Sequence, residues 1–456
     1  MNSPAEKAAG TRDRALASGG LDRAYRLLVN EEDARVCKDI SEEACRVVPG
    51  NFFLQILSQF LTKLGDAIAN PKTTLAWLLT ALGAPGVFTA LLVPIRESGS
   101  LIPQLVIAAF VRLQEVRKWT FVLGCILQGF SVLAMAAVAV SLEGAAAGFG
   151  LIGALVVFSL ARGLCSVASK DVLGKTVPRT RRGRVSGWSE FAAGLITVGI
   201  GALIYLDLRE AEGTTTYLVL LACAGGLWFL AAGAYALIRE FPGATEGGGN
   251  ALTDAVKRLR LLREDRAFRN FVLARSMLLC SALSAPFFIM LAHENTEGAL
   301  VVLGLFVMAD GLASLVSAPF WGRFADQSSR RVMVWAGTIA AASGIILVAL
   351  VSGSERLAEC GWIYPVFFFA LAIAHAGVRM GRKTYVVDLA GGNRRTDYVS
   401  VSNTVIGVVL LVAGSAGALT TIMPTSGVIL VLAAMGMAGA WLSARLPEIT
   451  DDAAGR

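Results

Sequence analysis

The stretch VPIRESGSLIPQ, residues 93–104, sets an arginine beside a glutamate in a run otherwise apolar enough to lie in a membrane. Hydropathy alone permits two readings. In one, residues 72–93 form a span and Arg96 and Glu97 fall in a loop behind it. In the other, the span covers 86–111 and both charges sit at mid-bilayer, where an ionised side chain costs about 2.5–3.5 kcal/mol and must face a cavity or a partner. The choice decides which helices carry charge and where the loops fall.

The surrounding chain is that of a polytopic membrane protein. Of 456 residues, 55% are hydrophobic and 16% charged, with a mean hydropathy of +0.63, too apolar for a soluble globular chain. Apolar stretches long enough to cross hydrocarbon as helix are predicted at about 51–70, 86–111, 119–141, 148–168, 188–206, 217–238, 270–291, 299–320, 333–351, 361–378, 398–421 and 426–444, twelve in all. The runs are continuously apolar rather than alternating, so they predict helices and not a barrel. Forty-eight glycines suit close helix packing. Basic residues cluster in the N-terminal segment and in alternate connections, whereas the opposite loops hold only Lys72, Arg209 and Arg356. Positive loops stay inside, so both termini are predicted to be cytoplasmic and the protein to reside in the cell (inner) membrane. The net charge of +7 is mainly this signal, and no nucleic-acid partner is expected. Seven cysteines are scattered; Cys37 and Cys45 lie near acidic residues but lack the further ligands of a zinc site, so no metal or other cofactor is expected.

An internal repeat bears on the opening choice. A shift of 213 residues carries VRLQEVRKW, ending at Trp119, onto RFADQSSRRVMVW, with Arg117 on Arg330 and Lys118 on Arg331. The same shift carries Lys170 onto Lys383, Arg181 and Arg182 onto Arg394 and Arg395, and Ser189 onto Ser402. It also places Glu97 on Asp310, in the middle of span eight, and so favours burial of Arg96 and Glu97. Residues 71–85 then become an external connection. A looser match of NFFL at 51 to NFVL at 270, offset by 219, predicts that this connection differs in length between the halves. The expected division is a cytoplasmic segment 1–48, a six-helix bundle 49–238, a cytoplasmic linker 239–269, a second six-helix bundle 270–445 and a cytoplasmic tail 446–456.

GRFADQSSRRVMV, beginning at Gly322, resembles the loop motif of the major facilitator superfamily, G-x-x-x-D-x-x-G-R-[RK], with Gly322, Asp326, Arg330 and Arg331 in place and Ser329 standing for the usual glycine. KTVPRTRRGRVSGW, residues 175–188, resembles that superfamily's loop between helices four and five. The resemblance covers residues 51–445. It implies an all-α membrane protein of 12 transmembrane helices in two pseudo-symmetric six-helix halves, working as a permease by alternating access. It further implies that Gly322 permits close helix approach and that Asp326 caps a neighbouring helix and pairs with an arginine to latch an inner gate. The first-half copy, AAFVRLQEVRK, has Ala109 and Leu113 at the glycine and aspartate positions and keeps only Arg117 and Lys118, with Glu115 as a weak substitute.

Charges inside the predicted spans are few: Lys63, Asp66, Arg96, Glu97, Arg162, Glu190, Arg275 and Asp310. Lys63 and Asp66, three apart, share a helical face and could neutralise each other. Arg96 and Glu97 are about 100° apart and need partners on other helices: Asp66 for Arg96, and Lys63 or Arg162 for Glu97. Arg162 and Glu190 are expected near the inner ends of their spans. His375 is expected to be a packing residue with one hydrogen bond. Lys63, Asp66, Arg96, Glu97 and Asp310 are the candidates for substrate recognition and proton coupling, a carboxylate taking the proton and a cation recognising an anionic group or releasing the acid. A static charge network that only fixes packing is the competing reading. No P-loop, HExxH, paired CxxC or GxSxG elbow is present, which argues against a pump or an enzyme. The expectation is a monomeric secondary active transporter in the lipid bilayer that moves a small solute, coupled to H+. The alternative is a transporter-like protein that carries nothing and serves as a membrane assembly or pigment-handling factor, or a sensor.

Overall fold

A computed structural model describes residues 43, 47–178, 182–207, 214–242, 259–296, 300–390, 395–414 and 419–448. Cys37, Cys45, Arg181 and Arg394 lie outside the described residues, as do the side chains of Arg182, Gly322, Asp326 and Arg395. No strand occurs among the described residues. Their helices of eight residues or more assemble into twelve rods. Rod one is α1 (Val48–Ile68) and α2 (Thr74–Ala81); rod two is α3 (Gly86–Leu101) and α4 (Gln104–Arg112). Rods three to six are α5 (Lys118–Ser141), α6 (Gly144–Thr176), α7 (Arg182–Asp207) and α8 (Thr214–Ala236). Rod seven is α9 (Arg266–Met277) and α10 (Cys280–Asn295). Rods eight to twelve are α11 (Leu300–Gln327), α12 (Ser329–Gly353), α13 (Ile363–Ala390), α14 (Arg395–Gly414) and α15 (Thr425–Ala444).

Nine helical stretches among the described residues are long and apolar enough to cross a membrane. Rods one and two are interrupted. Rod one breaks between Ile68 and Thr74, where Pro71 lacks a backbone donor, and its inner piece carries Lys63 and Asp66. Rod two carries Arg96 and Glu97 and breaks at Ile102–Pro103. Rod eight is an unbroken helix over Leu300–Gln327, apolar along Val301–Ser317.

Rod one overturns the predicted external connection at 71–85. Residues 74–81 are helical, with 74–79 buried, and only a tight turn at 82–85 joins rods one and two, with Gly83 at φ +68° and Pro85 at the N-cap of α3. The 213-residue shift maps Ala81 onto Glu294 and Gly86 onto position 299, beside the observed ends Asn295 and Leu300. The described ends thus follow the 213-residue offset, and the match at an offset of 219 does not. Arg96 and Glu97 lie inside α3, well along rod two, as the repeat requires.

Packing repeats with the sequence. In the first half rod three packs on rods four and six, rod one on rods five and six, and rod two on rod four. In the second half rod nine packs on rods ten and twelve, rod seven on rods eleven and twelve, and rod eight on rod ten. Rods five and eight, and rods two and eleven, form the two symmetry-related seams between the halves. Glycines make the seams close. A Cβ on Gly201 would lie 2.6 Å from the backbone nitrogen of Met308, and one on Gly304 would lie 2.7 Å from that of Tyr205. The repeat maps Gly194 and Gly201 onto Gly407 and Gly414, which pack on Ile102 and Pro94 in the other seam. At the end of the bundle that holds the 82–85 turn, α2 seals against the second half, with the Trp77 ring 4.9 Å from that of His293 and 6.4 Å from that of Phe306.

At the opposite end the basic loops staple each half internally. Lys118 Nζ donates to the carbonyls of Ala236 (2.9 Å) and Ile238 (2.8 Å), just past rod six, and Glu240 accepts from the Lys118 backbone and pairs with Lys175. Arg330 donates to the carbonyls of Ala444 and Leu446, just past rod twelve, and pairs with Glu448 at 2.6 Å. The functional counterparts are thus Lys118 and Arg330, one residue out of the register that the sequence suggests. Arg117 instead pairs with Asp171 at 2.9 Å, and Arg331 sits 3.9 Å from Glu448. Cations on helix C-terminal carbonyls complement the helix dipole.

The Glu448 staple responds to pH. The Ser328 hydroxyl, then Arg330 and Arg331, hold its carboxyl below the ordinary glutamate range. The depressed value means the contact contributes fully above that range and is lost as pH falls through the lower folded-state value. Because Glu448 is solvent-exposed, the effect is expected to be small. Glu448→Gln at neutral pH should mimic acidification, read as a few-fold faster tryptic cleavage after Arg445; unchanged cleavage would remove the staple's role.

Candidate functional site

Rods one, two and four converge on Asp66. Its two carboxylate oxygens each accept a guanidinium, from Arg96 Nη2 at 2.8 Å and Arg162 Nη1 at 2.8 Å. Small residues make this convergence possible. Gly99 lets rod two approach rod four so closely that a Cβ there would be 2.6 Å from that of Ser159, and Gly65 gives room to Trp228. Trp228 packs edge-on against Phe158, whose ring lies 4.8 Å beneath the Arg96 guanidinium. Arg96 is buried, with Nε and Nη1 lacking protein partners among the described residues, whereas the Asp66 and Arg162 side chains are 28% and 35% exposed. Both side chains thus keep part of their surface open midway along rods one and four.

The expected Arg96–Asp66 pair is therefore present, and three other expectations change. Lys63 does not neutralise Asp66 directly; its Nζ reaches across to rod five, 3.0 Å from Ser189 Oγ and 3.2 Å from Glu190 Oε1. Arg162 is not a residue of the inner end but stands near the centre of α6. Glu97 hydrogen-bonds neither Lys63 nor Arg162; it lies in the electrostatic field of Arg162, Arg96, Lys72 and Arg382.

Lys72 is the residue that the sequence reading misplaced. Assigned to an external loop, it occupies the break in rod one, in the field of both Asp310 and Glu97, the two carboxylates that the repeat makes equivalent. Asn70, in the same break, donates from Nδ2 to Asp310 Oδ2 at 2.9 Å and so joins the two halves at this level. Rod ten closes the group from the second half. Arg379 and Arg382, assigned by sequence to an inner loop, lie within α13 and share the field of Lys72; Arg382 also faces Glu97.

The second half mirrors the first in position but not in charge. The shift maps Arg162 onto His375, and in place of an ion pair His375 Nδ1 meets Ser281 Oγ at 3.1 Å, the single hydrogen bond expected of it. It maps Ser189 and Glu190 onto Ser402 and Asn403, and these accept from Arg275 of rod seven as Ser189 and Glu190 accept from Lys63 of rod one. Asparagine for glutamate leaves Arg275 with hydrogen bonds but no ion pair among the described residues. Those residues contain no group of three or more His, Cys, Asp or Glu side chains able to hold a metal ion.

The protein is a multi-pass membrane protein with the major facilitator fold. Its described helices superpose on the D-xylose–proton symporter with a TM-score of 0.64 at 12% identity, over 88% of this chain and 98% of that one. They match a variant of the nucleoside transporter NupG at 0.63 and 11% identity, over 86% and 99%, and the inward-open xylose transporter XylE of E. coli at 0.61 and 12%, over 88% and 96%. A POT family transporter in complex with 5-aminolevulinic acid matches at 0.62 and 10% identity, over 87% and 95%. No family model matches the sequence, and no curated protein does.

Proposed function

We propose that the chain is a secondary transporter that moves a small solute by alternating access through the charged centre, coupled to protons. One observation carries the reading: charged and polar side chains from both halves meet at the Asn70–Asp310 hydrogen bond, deep in the bundle and partly open to solvent. A network serving packing alone would complete its ion pairs. Lys72 and Glu97 make no ion pair within 4.0 Å among the described residues, and groups without a fixed partner are free to exchange a proton or meet a ligand. The resemblance to sugar, nucleoside and peptide carriers is one of fold and is compatible with this reading.

The basic-loop rule puts the stapled end in the cytoplasm and both termini with it. On that orientation the contact of Trp77 with His293 lies on the outer side. Glu97 is the better proton carrier of the carboxylates considered, because both oxygens of Asp66 are committed to guanidinium groups. In proteoliposomes, Glu97→Gln is expected to abolish accumulation driven by a pH gradient while downhill flux of the same solute and the thermal midpoint persist. Accumulation equal to that of the unmodified protein would reject proton coupling at Glu97. Failure of every solute class to move or to stabilise the protein would reject transport itself.

A further inference from the structure

The centre is not charge-balanced. Lys63, Lys72, Arg96, Arg162, Arg379 and Arg382 supply six cations against four carboxylates, Asp66, Glu97, Glu190 and Asp310. The direct contacts divide this set unevenly. Asp66 is taken by Arg96 and Arg162, Glu190 by Lys63, and Asp310 accepts from Asn70. Lys72, in the break that Asn70 ties to Asp310, and Arg379 and Arg382 of the second half are left in one another's electrostatic field, with no side-chain hydrogen bond or ion pair among the described residues and with Glu97 and Asp310 in the same field. Arg275, a further cation, lies in the field of Arg382, and its Nε lacks a partner among the described residues. Nearer the basic-loop end, Lys170 lies in the field of Lys383, its equivalent under the repeat and a like charge, as well as that of Asp171.

Resting on the transport reading above, we propose that the solute is a small organic anion whose carboxylate or phosphate oxygens bridge Lys72 of the first half and Arg379 and Arg382 of the second. Like charges on the facing walls oppose approach of the two halves at the inner end. An anion between them removes that opposition and bonds to both walls at once, so its binding favours closure over it. Arginine supplies planar paired donors suited to a carboxylate or phosphate, and the break in rod one places the lysine to meet the same group from the other side. Glu97 and Asp310 set the selectivity: they repel an anion too highly charged for the remaining cations and accept from hydroxyl or amine donors elsewhere on the solute.

The test measures the thermal midpoint of the purified full-length protein, and counterflow in proteoliposomes, with succinate, inorganic phosphate, D-glucose and choline as probes. Stabilisation and counterflow with succinate or phosphate, and not with D-glucose or choline, is expected, and the stronger of the two anions separates a carboxylate from a phosphate ligand. Arg382→Gln should weaken anion binding about tenfold, the loss of one charge-assisted hydrogen bond, while Arg260→Gln, in the exposed pair with Glu264 ahead of rod seven, leaves it unchanged. Should Arg382→Gln fail to fold, Arg382→Lys serves in its place and should weaken binding through loss of the paired donors. Equal binding by Arg382→Gln and the unmodified protein would overturn the assignment of the site. Counterflow of D-glucose or choline alone would overturn the anionic class and leave the transport reading standing; no response to any probe in either assay would overturn the anionic class together with the bridging site.

Discussion

Replacing Asp66 by asparagine is expected to lower the thermal midpoint and the monodisperse yield more than any other single change at the centre. The carboxylate accepts two guanidinium groups, and without it Arg96 keeps its charge in a buried place with two nitrogens already unpartnered. Removing one member of a buried ion pair costs about 3–5 kcal/mol, chiefly the burden of the charge left behind. The 28% exposure of the Asp66 side chain puts the expected loss at the lower end of that range. Arg162→Gln should be milder, since Arg162 is 35% exposed and its removal leaves Asp66 paired with Arg96. The double variant Asp66→Asn with Arg96→Gln should recover part of the loss, because it removes the stranded charge as well. An Asp66→Asn protein as stable as the unmodified one would show that the triad does not hold the first half together.

The second large effect is expected at the glycine seam. Gly201→Leu would place its Cβ 2.6 Å from the backbone nitrogen and Cγ of Met308 and 2.9 Å from the carbonyl oxygen of Gly304, distances that only separation of rods five and eight can relieve. Overpacking of this kind costs about 1–3 kcal/mol. Here the cost falls on the state in which the outer seam is shut, so it shifts the balance of conformations rather than unfolding either half. About 2 kcal/mol would change that balance about thirtyfold. The measurement is labelling of a single cysteine, His293→Cys, by an impermeant reagent from the outer side, in a background without native thiols. Faster labelling with the added Gly201→Leu is expected; Gly226→Leu, at a site where a Cβ would meet no atom within 4 Å, should have no effect. Equal rates for Gly201→Leu and its parent would show that the seam does not move.

Most of the architecture was legible because a repeat leaves two copies of one message. Charged loops at a constant offset of 213 residues decided that Arg96 and Glu97 lie within a helix, against a hydropathy profile that allowed the alternative. The Arg96–Asp66 pair followed from helix periodicity alone. Lys72 was missed for a physical reason: Asn70–Pro71–Lys72 interrupts the apolar run as a loop would, and hydropathy does not distinguish a break inside a rod from its end. Carrying rod seven, 266–295, back by the same offset gives 53–82 and would have kept Lys72 inside. Arg379 and Arg382 were read as loop because positive charge at the end of an apolar run usually marks the inner surface. Their spacing from His375, four and seven residues, puts all three along one helical face and was the available signal. The preference of Lys63 for Glu190 over Asp66 depends on how rods one and five cross, which no single-helix pattern records.

The break in rod one has a mechanical consequence. Helix α2 is encoded in the first half yet packs on α10 of the second, while α1 packs on rods five and six of its own half. In a carrier that rocks, the lever arms need not follow the order of the genes' duplication: the segment beyond Thr73 can stay with the opposite lobe while the segment before Ala69 turns with its own. On the transport reading proposed above, the fulcrum passes through Asn70–Lys72, and cargo gripped there sits where displacement is least, so that access alternates around it while it hardly travels.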